Sequence, residues 1–193
     1  MQLVFATNNP NKIAEIQEQL GDAYTFLSLK DIECTEEIPE TSGTLEGNAR
    51  QKAYHVLDNY GYECFSEDTG LEIEALNGAP GVDTAHYAGP ERSAEANNQK
   101  ALQELNGKNN RNARFRTVIC LLYDGEEYLF EGICPGKITE TLNGSGGFGY
   151  DPIFVPDEGD GRSFAEMTST EKTSISHRGR AVAKLVEFLH KQG

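Results

Sequence analysis

The strand and helix patterning of the first 61 residues constrains the fold more than any other feature of this chain. Residues 2–6 (Gln-Leu-Val-Phe-Ala) form an apolar run of strand length, and Thr7-Asn8-Asn9-Pro10-Asn11-Lys12 follows at once. Ile13, Ile16 and Leu20 then recur at helical spacing up to Gly21. Asn8 or Asn9 suits the helix cap, and Pro10 suits its first turn, where the missing N–H costs nothing. Residues 24–29 alternate like a second strand, residues 33–43 read as an acidic loop, and Ala49, Ala53, Val56, Leu57 and Tyr60 mark a second helix closed by Gly61. This β-α-β-α order predicts an α/β fold.

The remainder extends that prediction. Residues 64–68 read as a short strand, 71–75 as another, 78–81 as a Gly-Ala-Pro-Gly loop and 93–105 as a helix. Two longer apolar runs, 113–123 and 127–134, flank Asp124-Gly125, a dipeptide that favours a tight hairpin. After Ser176 one helical face carries Ala181, Val182, Leu185, Phe188 and Leu189. The expected architecture is a mixed sheet with flanking helices. A chain of 193 residues, without repeats or low-complexity tracts, suits a single domain that can divide into two lobes.

Charge limits the partners. The formal net charge is −14, from 17 Lys and Arg against 31 Asp and Glu. Such a surface repels a nucleic-acid backbone, because non-specific binding rests on cations neutralising phosphates. A small polyphosphate remains possible, since local cations and a divalent metal can reverse the field at one place. Cys34, Cys64, Cys120 and Cys134 include no close pair of the zinc or redox type and are expected as reduced, buried thiols. There is no basic leader and no apolar stretch of membrane-spanning length, so a cytoplasmic protein with no membrane partner is expected.

Four stretches concentrate chemistry. In Thr7–Lys12, small polar side chains and a lysine stand where a strand becomes a helix, a place that favours anions; ordinary capping is the plain alternative. Ser66-Glu67-Asp68-Thr69-Gly70 puts two adjacent carboxylates at a strand end. Alternation predicts that Glu67 and Asp68 point to opposite faces unless the strand breaks, and a solvated turn is equally compatible. The stretch 144–152 contains four glycines with Phe148 and Tyr150, which suits close backbone approach and ring stacking on a ligand, or simply a flexible connector. In 171–180, Lys172, His177, Arg178 and Arg180 are the densest group of donors. If Ser176 caps the last helix, His177, Arg178 and Arg180 sit in its first turn, where cations oppose the dipole and call for a nearby anion or carboxylate. Glu40, in the acidic loop ahead of Asn48 and Lys52, is a further candidate oxygen ligand for magnesium.

Together these stretches resemble the inosine triphosphate pyrophosphatase family nearly end to end. The resemblance is carried by 6–12, Glu40-Thr41-Ser42-Gly43-Thr44, Asn48-Ala49, Glu67-Asp68-Thr69-Gly70-Leu71, Gly78-Ala79-Pro80-Gly81, 146–152 and 171–179. It implies hydrolysis of ITP, dITP and XTP to the monophosphate and pyrophosphate. It also implies that Thr7, Asn8, Asn9, Pro10, Asn11 and Lys12 hold the triphosphate, with Lys52 nearby. Glu40 and Asp68, and Glu67 as a further candidate, would hold Mg2+ (or Mn2+ in its place), and Asp68 would also accept the proton. Thr69, Phe148, Gly149, Tyr150, Asp151, Lys172, His177 and Arg178 would contact the nucleotide. An elongated mixed sheet, two lobes about a central cleft and a homodimer are implied as well. Departures are few: Thr69 stands where many members have serine, Asn8 and Asn11 where many have glycine, and Gly47 where Glu often precedes the Asn-Ala pair. Two rival readings remain, a related pyrophosphatase acting on modified or pyrimidine triphosphates and a nucleotide-binding module without catalysis.

Overall fold

The structure is a computed structural model and describes residues 2–192. The chain opens with strand β1 (Leu3–Phe5) and helix α1 (Pro10–Leu20), with Asn9 at the N-cap. Strand β2 is Phe26–Leu27, and helix α2 (Leu45–Tyr60) starts at the Thr44 cap and ends on Gly61 in the left-handed conformation. Strand β3 spans Cys64–Ile73. Helix α3 (Ala94–Glu104), capped by Ser93, leads into β4 (Asn112–Tyr123) and β5 (Glu126–Ile138). The chain closes with β6 (Phe154–Pro156), α4 (Ser169–Ile175) and α5 (His177–Gln192).

The strands form one six-stranded sheet in the order β2-β1-β3-β4-β5-β6. β1 pairs parallel with β2 and with β3, while β6 pairs antiparallel with β5, so the sheet is mixed, as expected. The two residues linking β4 to β5, Asp124 and Gly125, both have positive φ (51° and 77°), as a type I′ hairpin turn demands.

Three local readings change. The acidic pair does not sit at a strand end: β3 runs unbroken through Gly70, replacing the two short strands expected at 64–68 and 71–75. β5 continues past Cys134 through Pro135 and Gly136, because residues 136–138 gain β6 as a partner. Helix α4 had no counterpart in the apolar pattern; Thr168 and Glu171 form a reciprocal capping box that starts it.

The described chain divides into two compact units. Unit 1 comprises Met1–Asp68, Thr117–Gly132 and Ala181–Gly193; unit 2 comprises Thr69–Arg116 and Ile133–Arg180. Each has its own core. Unit 1 buries Phe5, Ile16, Phe65, Ile119, Leu121 and Leu185, with Phe5 and Phe65 stacked at 4.5 Å. Unit 2 buries Leu71, Ile73, Leu105, Phe115, Phe154 and Phe164. All four cysteines are free and buried, and desolvation pushes the thiols of Cys64, Cys120 and Cys134 up to about 12, which keeps them protonated and unreactive at neutral pH. Among the described residues no helix is long and apolar enough to cross a membrane.

The α4–α5 junction is tight. Ser176 Oγ accepts the Gly179 N–H at 3.0 Å, so it caps α5 as its sequence position suggested. A Cβ at Gly179 would run into the Thr173 carbonyl, which is backbone and has little room to yield. Helix propensity alone favours Gly179→Ala by up to ~1 kcal/mol. Overpacking against fixed backbone costs about 1–3 kcal/mol, so the expected result is a net loss of stability, read as a lower denaturant midpoint at unchanged slope.

Candidate active site

In unit 1, three acids and two lysines meet around β3. Lys12, on the first turn of α1, reaches Glu67 at 2.5 Å, and the Glu67 side chain is fully buried. Lys52, on the inner face of α2, pairs with Glu40, donates to the Glu67 carbonyl at 2.7 Å and lies 3.7 Å from Asp68 Oδ1. Asn48, one helical turn before Lys52, donates to Asp68 Oδ2 at 3.0 Å and so fixes the plane of that carboxylate. The side chains of Glu67 and Asp68 take different partners, one from α1 and the other from α2, as alternation along an unbroken strand requires.

Burial dominates the electrostatics. Asp68 is raised above the ordinary aspartate value by desolvation, and Lys52 and Lys12 offset only part of that rise. Burial pulls the Lys52 ammonium down, but Asp68, Glu40 and Glu67 outweigh it and leave Lys52 raised and charged. Three carboxylates against two ammonium groups leave the cluster one positive charge short. Hard oxygen donors with surplus negative charge suit a magnesium ion, so the residues present fit such a cofactor.

The turn from β1 to α1 is capped by Asn9, one of the two residues the sequence offers for that place. Asn9 Oδ1 accepts the N–H groups of Asn11 (3.0 Å) and Lys12 (3.4 Å), and Thr7 Oγ1 accepts that of Asn9 (3.2 Å). The N–H groups of Asn9, Asn11 and Lys12 are therefore met from within the turn. Positive charge at this turn comes from Lys12, and Asn8, Pro10 and Asn11 remain exposed beside it.

Unit 2 holds a second constellation. Lys172 and Asp151 form a buried ion pair at 2.8 Å, with side chains 6% and 4% exposed. The same Asp151 oxygen accepts the Phe148 N–H at 2.9 Å, which folds the glycine-rich loop back on itself. The Lys172 ammonium lies 4.6 Å from the centre of the Phe148 ring, and the Arg178 guanidinium lies 5.5 Å from it, so one aromatic ring is flanked by two cations. Arg178 also donates to Thr69 Oγ1 at 3.3 Å. His177 is buried and stacks on Phe115 with 4.4 Å between ring centres. The carboxylate needed to offset the cations at the start of α5 is present for Arg180, which binds Glu158 at 2.6 Å.

Some members of the expected set have side chains turned into the core or no side chain to offer. The Tyr150 side chain belongs to the core of unit 2, with its hydroxyl on the Thr84 carbonyl at 2.7 Å, which leaves only main-chain atoms for a ligand. Gly149 offers its carbonyl to Asn98 Nδ2 at 2.9 Å. Asn48 and Asn98 were not picked out as site residues in the sequence. Asn48 could have been, since it lies four residues before Lys52 and so shares its helix face; nothing near Asn98 in the sequence links it to a loop 51 residues away.

This is a mixed-sheet α/β protein that contains a carboxylate–lysine cluster and an aromatic ring between cations, and its sequence has no P-loop motif. The sequence profile of the Ham1 family matches residues 3–188, and the chain belongs to that family. It is 53% identical over 189 residues to a dITP/XTP pyrophosphatase of Flavobacterium johnsoniae, covering 98% of each chain. It is 43% identical over 192 residues to the protein of that name from Bacillus subtilis, covering 97% and 96%. Among solved structures, the Ham1 protein of Staphylococcus aureus superposes with a TM-score of 0.91 at 34% identity, and all of both chains is covered.

Proposed function

We propose that this chain is a magnesium-dependent pyrophosphatase that converts dITP, ITP and XTP to the monophosphate and pyrophosphate, acting in the cytoplasm as a homodimer. The observation that carries the reading is the cluster of Glu40, Glu67 and Asp68 against Lys12 and Lys52, in which Glu67, Asp68 and Lys52 are buried. Membership of a family whose near relatives are named dITP/XTP pyrophosphatases supports it.

Asp68 is the proton acceptor. Its carboxylate is oriented by Asn48, and burial makes it a stronger base than a solvated aspartate, so it can take a proton from the water that attacks the α-phosphorus. Lys12 and Lys52 supply positive charge at the phosphates, and Thr7, Asn8 and Asn11 supply neutral hydrogen-bonding groups. Glu40 and Asp68, with Glu67 behind them, are the residues that would hold Mg2+, which when bound polarises phosphate oxygens and offsets charge on the leaving pyrophosphate.

In unit 2, Phe148 is the stacking surface for the base, held in place by Asp151, Lys172 and Arg178. Hypoxanthine and xanthine carry an acceptor oxygen at C6 and adenine an amino donor, so donors from His177, Arg178 or the loop backbone favour the former. Guanine shares the oxygen and must be rejected at its 2-position.

Pyrophosphate release across dITP, ITP, XTP, ATP, GTP, dTTP and UTP, with and without magnesium, tests the reading. An unmet buried donor costs about 1–3 kcal/mol, so ITP should exceed ATP by ~10–100-fold in kcat/KM. Equal rates for ITP and ATP would remove the donor argument. Preference for the pyrimidine nucleotides would favour the related pyrophosphatase, and saturable ITP binding without turnover would make the protein a binding module.

A further inference from the structure

A second group of ligating side chains stands at the far end of the loop that carries Glu40, and it does not depend on the nucleotide reading. Residues 33–43 run back along α2 and are joined to it at successive points. The Ser42 N–H donates to Asn48 Oδ1 (3.1 Å), the Thr41 N–H to Gln51 Oε1 (2.8 Å), and Lys52 to Glu40. His55 Nε2 lies 2.8 Å from Glu36 Oε1. Positions 48, 51, 52 and 55 repeat at the spacing of one helix face, so a single face of α2 holds the whole loop. At its last point of attachment, Cys34 Sγ, a Glu36 oxygen and a His55 ring nitrogen all lie within 4.8 Å of one another.

We propose that Cys34, Glu36 and His55 form a binding site for a thiophilic divalent cation, zinc above all, separate from the Asp68 cluster. Sulfur, imidazole and carboxylate together are a zinc or cobalt donor set, whereas magnesium takes oxygens. Three protein ligands leave a coordination position for water, and Glu36 is exposed, which provides a path of entry. The alternative is a hydrogen-bonded group alone, since Tyr60 donates to Glu36 Oε2 at 2.7 Å and shares that carboxylate with His55. The Cys34 thiol reaches Tyr60 and Glu36 in that group, but a thiol is a weak hydrogen-bonding partner and adds little to it. Yet Cys34 is brought into it by Glu33, a non-glycine residue in the left-handed conformation (φ 59°), and by the Cys34 N–H bonded to the Leu29 carbonyl at 2.9 Å. A cation here would tie the loop to α2 at the end opposite Ser42 and so order the segment that presents Glu40.

The test uses the whole, metal-free chain titrated with Co2+ and then Zn2+. The expected result is one cobalt per chain with a thiolate-to-cobalt charge-transfer absorption, displaced by one equivalent of zinc. Cys34→Ser should abolish the absorption and weaken zinc binding at least ~10-fold, since even outer-shell changes cost 10–100-fold. His55→Gln and Glu36→Gln, at less buried positions, should weaken zinc in the same way while leaving the melting temperature of the metal-free protein nearly unchanged. Asp68→Asn should retain the absorption, because it lies outside the site. No thiolate absorption in the unsubstituted chain, or one that survives Cys34→Ser, overturns the proposal.

Discussion

Asp68→Asn is expected to abolish most turnover without unfolding the protein. On the proposed mechanism the amide keeps the hydrogen bond from Asn48 but cannot take a proton, and a positioned general base is worth about 10²–10⁴-fold. The loss should appear in kcat and kcat/KM alike, because the base acts only in the transition state. Stability should move the other way. The folded-state pKa of Asp68 is raised, burial being its largest cause, so its contribution to stability is fully present below the ordinary aspartate value. That contribution is lost as pH rises through the raised folded value. At neutral pH the wild-type protein bears the cost of a buried, ionised carboxylate that asparagine does not. Melting of the metal-free proteins should therefore place Asp68→Asn at or above the wild type at pH 7, with the difference shrinking in acid. Near-normal turnover would remove Asp68 from its role, and a variant much less stable at pH 7 would show that Lys52 and Lys12 outweigh burial.

Lys172→Met should be the most damaging change to stability. Asp151 and Lys172 are both almost wholly enclosed, and removing the lysine leaves the Asp151 carboxylate buried without its ammonium partner. Breaking such a pair costs about 3–5 kcal/mol, and in a chain of this size each kcal/mol lowers Tm by ~2–4 °C. A fall of roughly 6–20 °C follows. Acid should narrow the gap, because Asp151 without its lysine is driven towards its neutral form, which is more easily buried. Adding Asp151→Asn should restore part of the loss, since asparagine keeps an acceptor for the Phe148 N–H and carries no charge. A single variant that melts within about 2 °C of the wild type would show that solvent reaches Asp151. Additive losses in the double variant would show that the two residues are not coupled.

How much of this was legible beforehand depends on the distance over which each feature is decided. The start of α1 at Pro10, its end at Gly21, the Gly61 stop of α2, the Asp124-Gly125 turn and the Ser176 cap all appear where the sequence puts them, since each depends on residues within one turn. The continuity of β3 through Gly70 was not legible. Local patterning treats a glycine after two acids as a turn, whereas the strand's place in the sheet is set by pairing with segments distant in sequence. The resemblance to the inosine triphosphate pyrophosphatase family brought most of the candidate residues together, and their partners came only from the fold: Lys12 with Glu67, Lys52 with Glu40, and Asn98 with Gly149.

By itself the sequence determined the α/β class, the caps and turns, the burial of the cysteines and the residue types available for chemistry, because these follow from hydrophobic period and local backbone preference. Tertiary structure decided which charges are buried and what each faces. Burial raises Asp68, three acids keep Lys52 charged against its own burial, and packing takes the Tyr150 ring into the core while leaving Phe148 between two cations. The reason is that desolvation and Coulomb energy depend on distances through space, and residues such as Lys52 and Asp68 have no defined separation until the chain has packed.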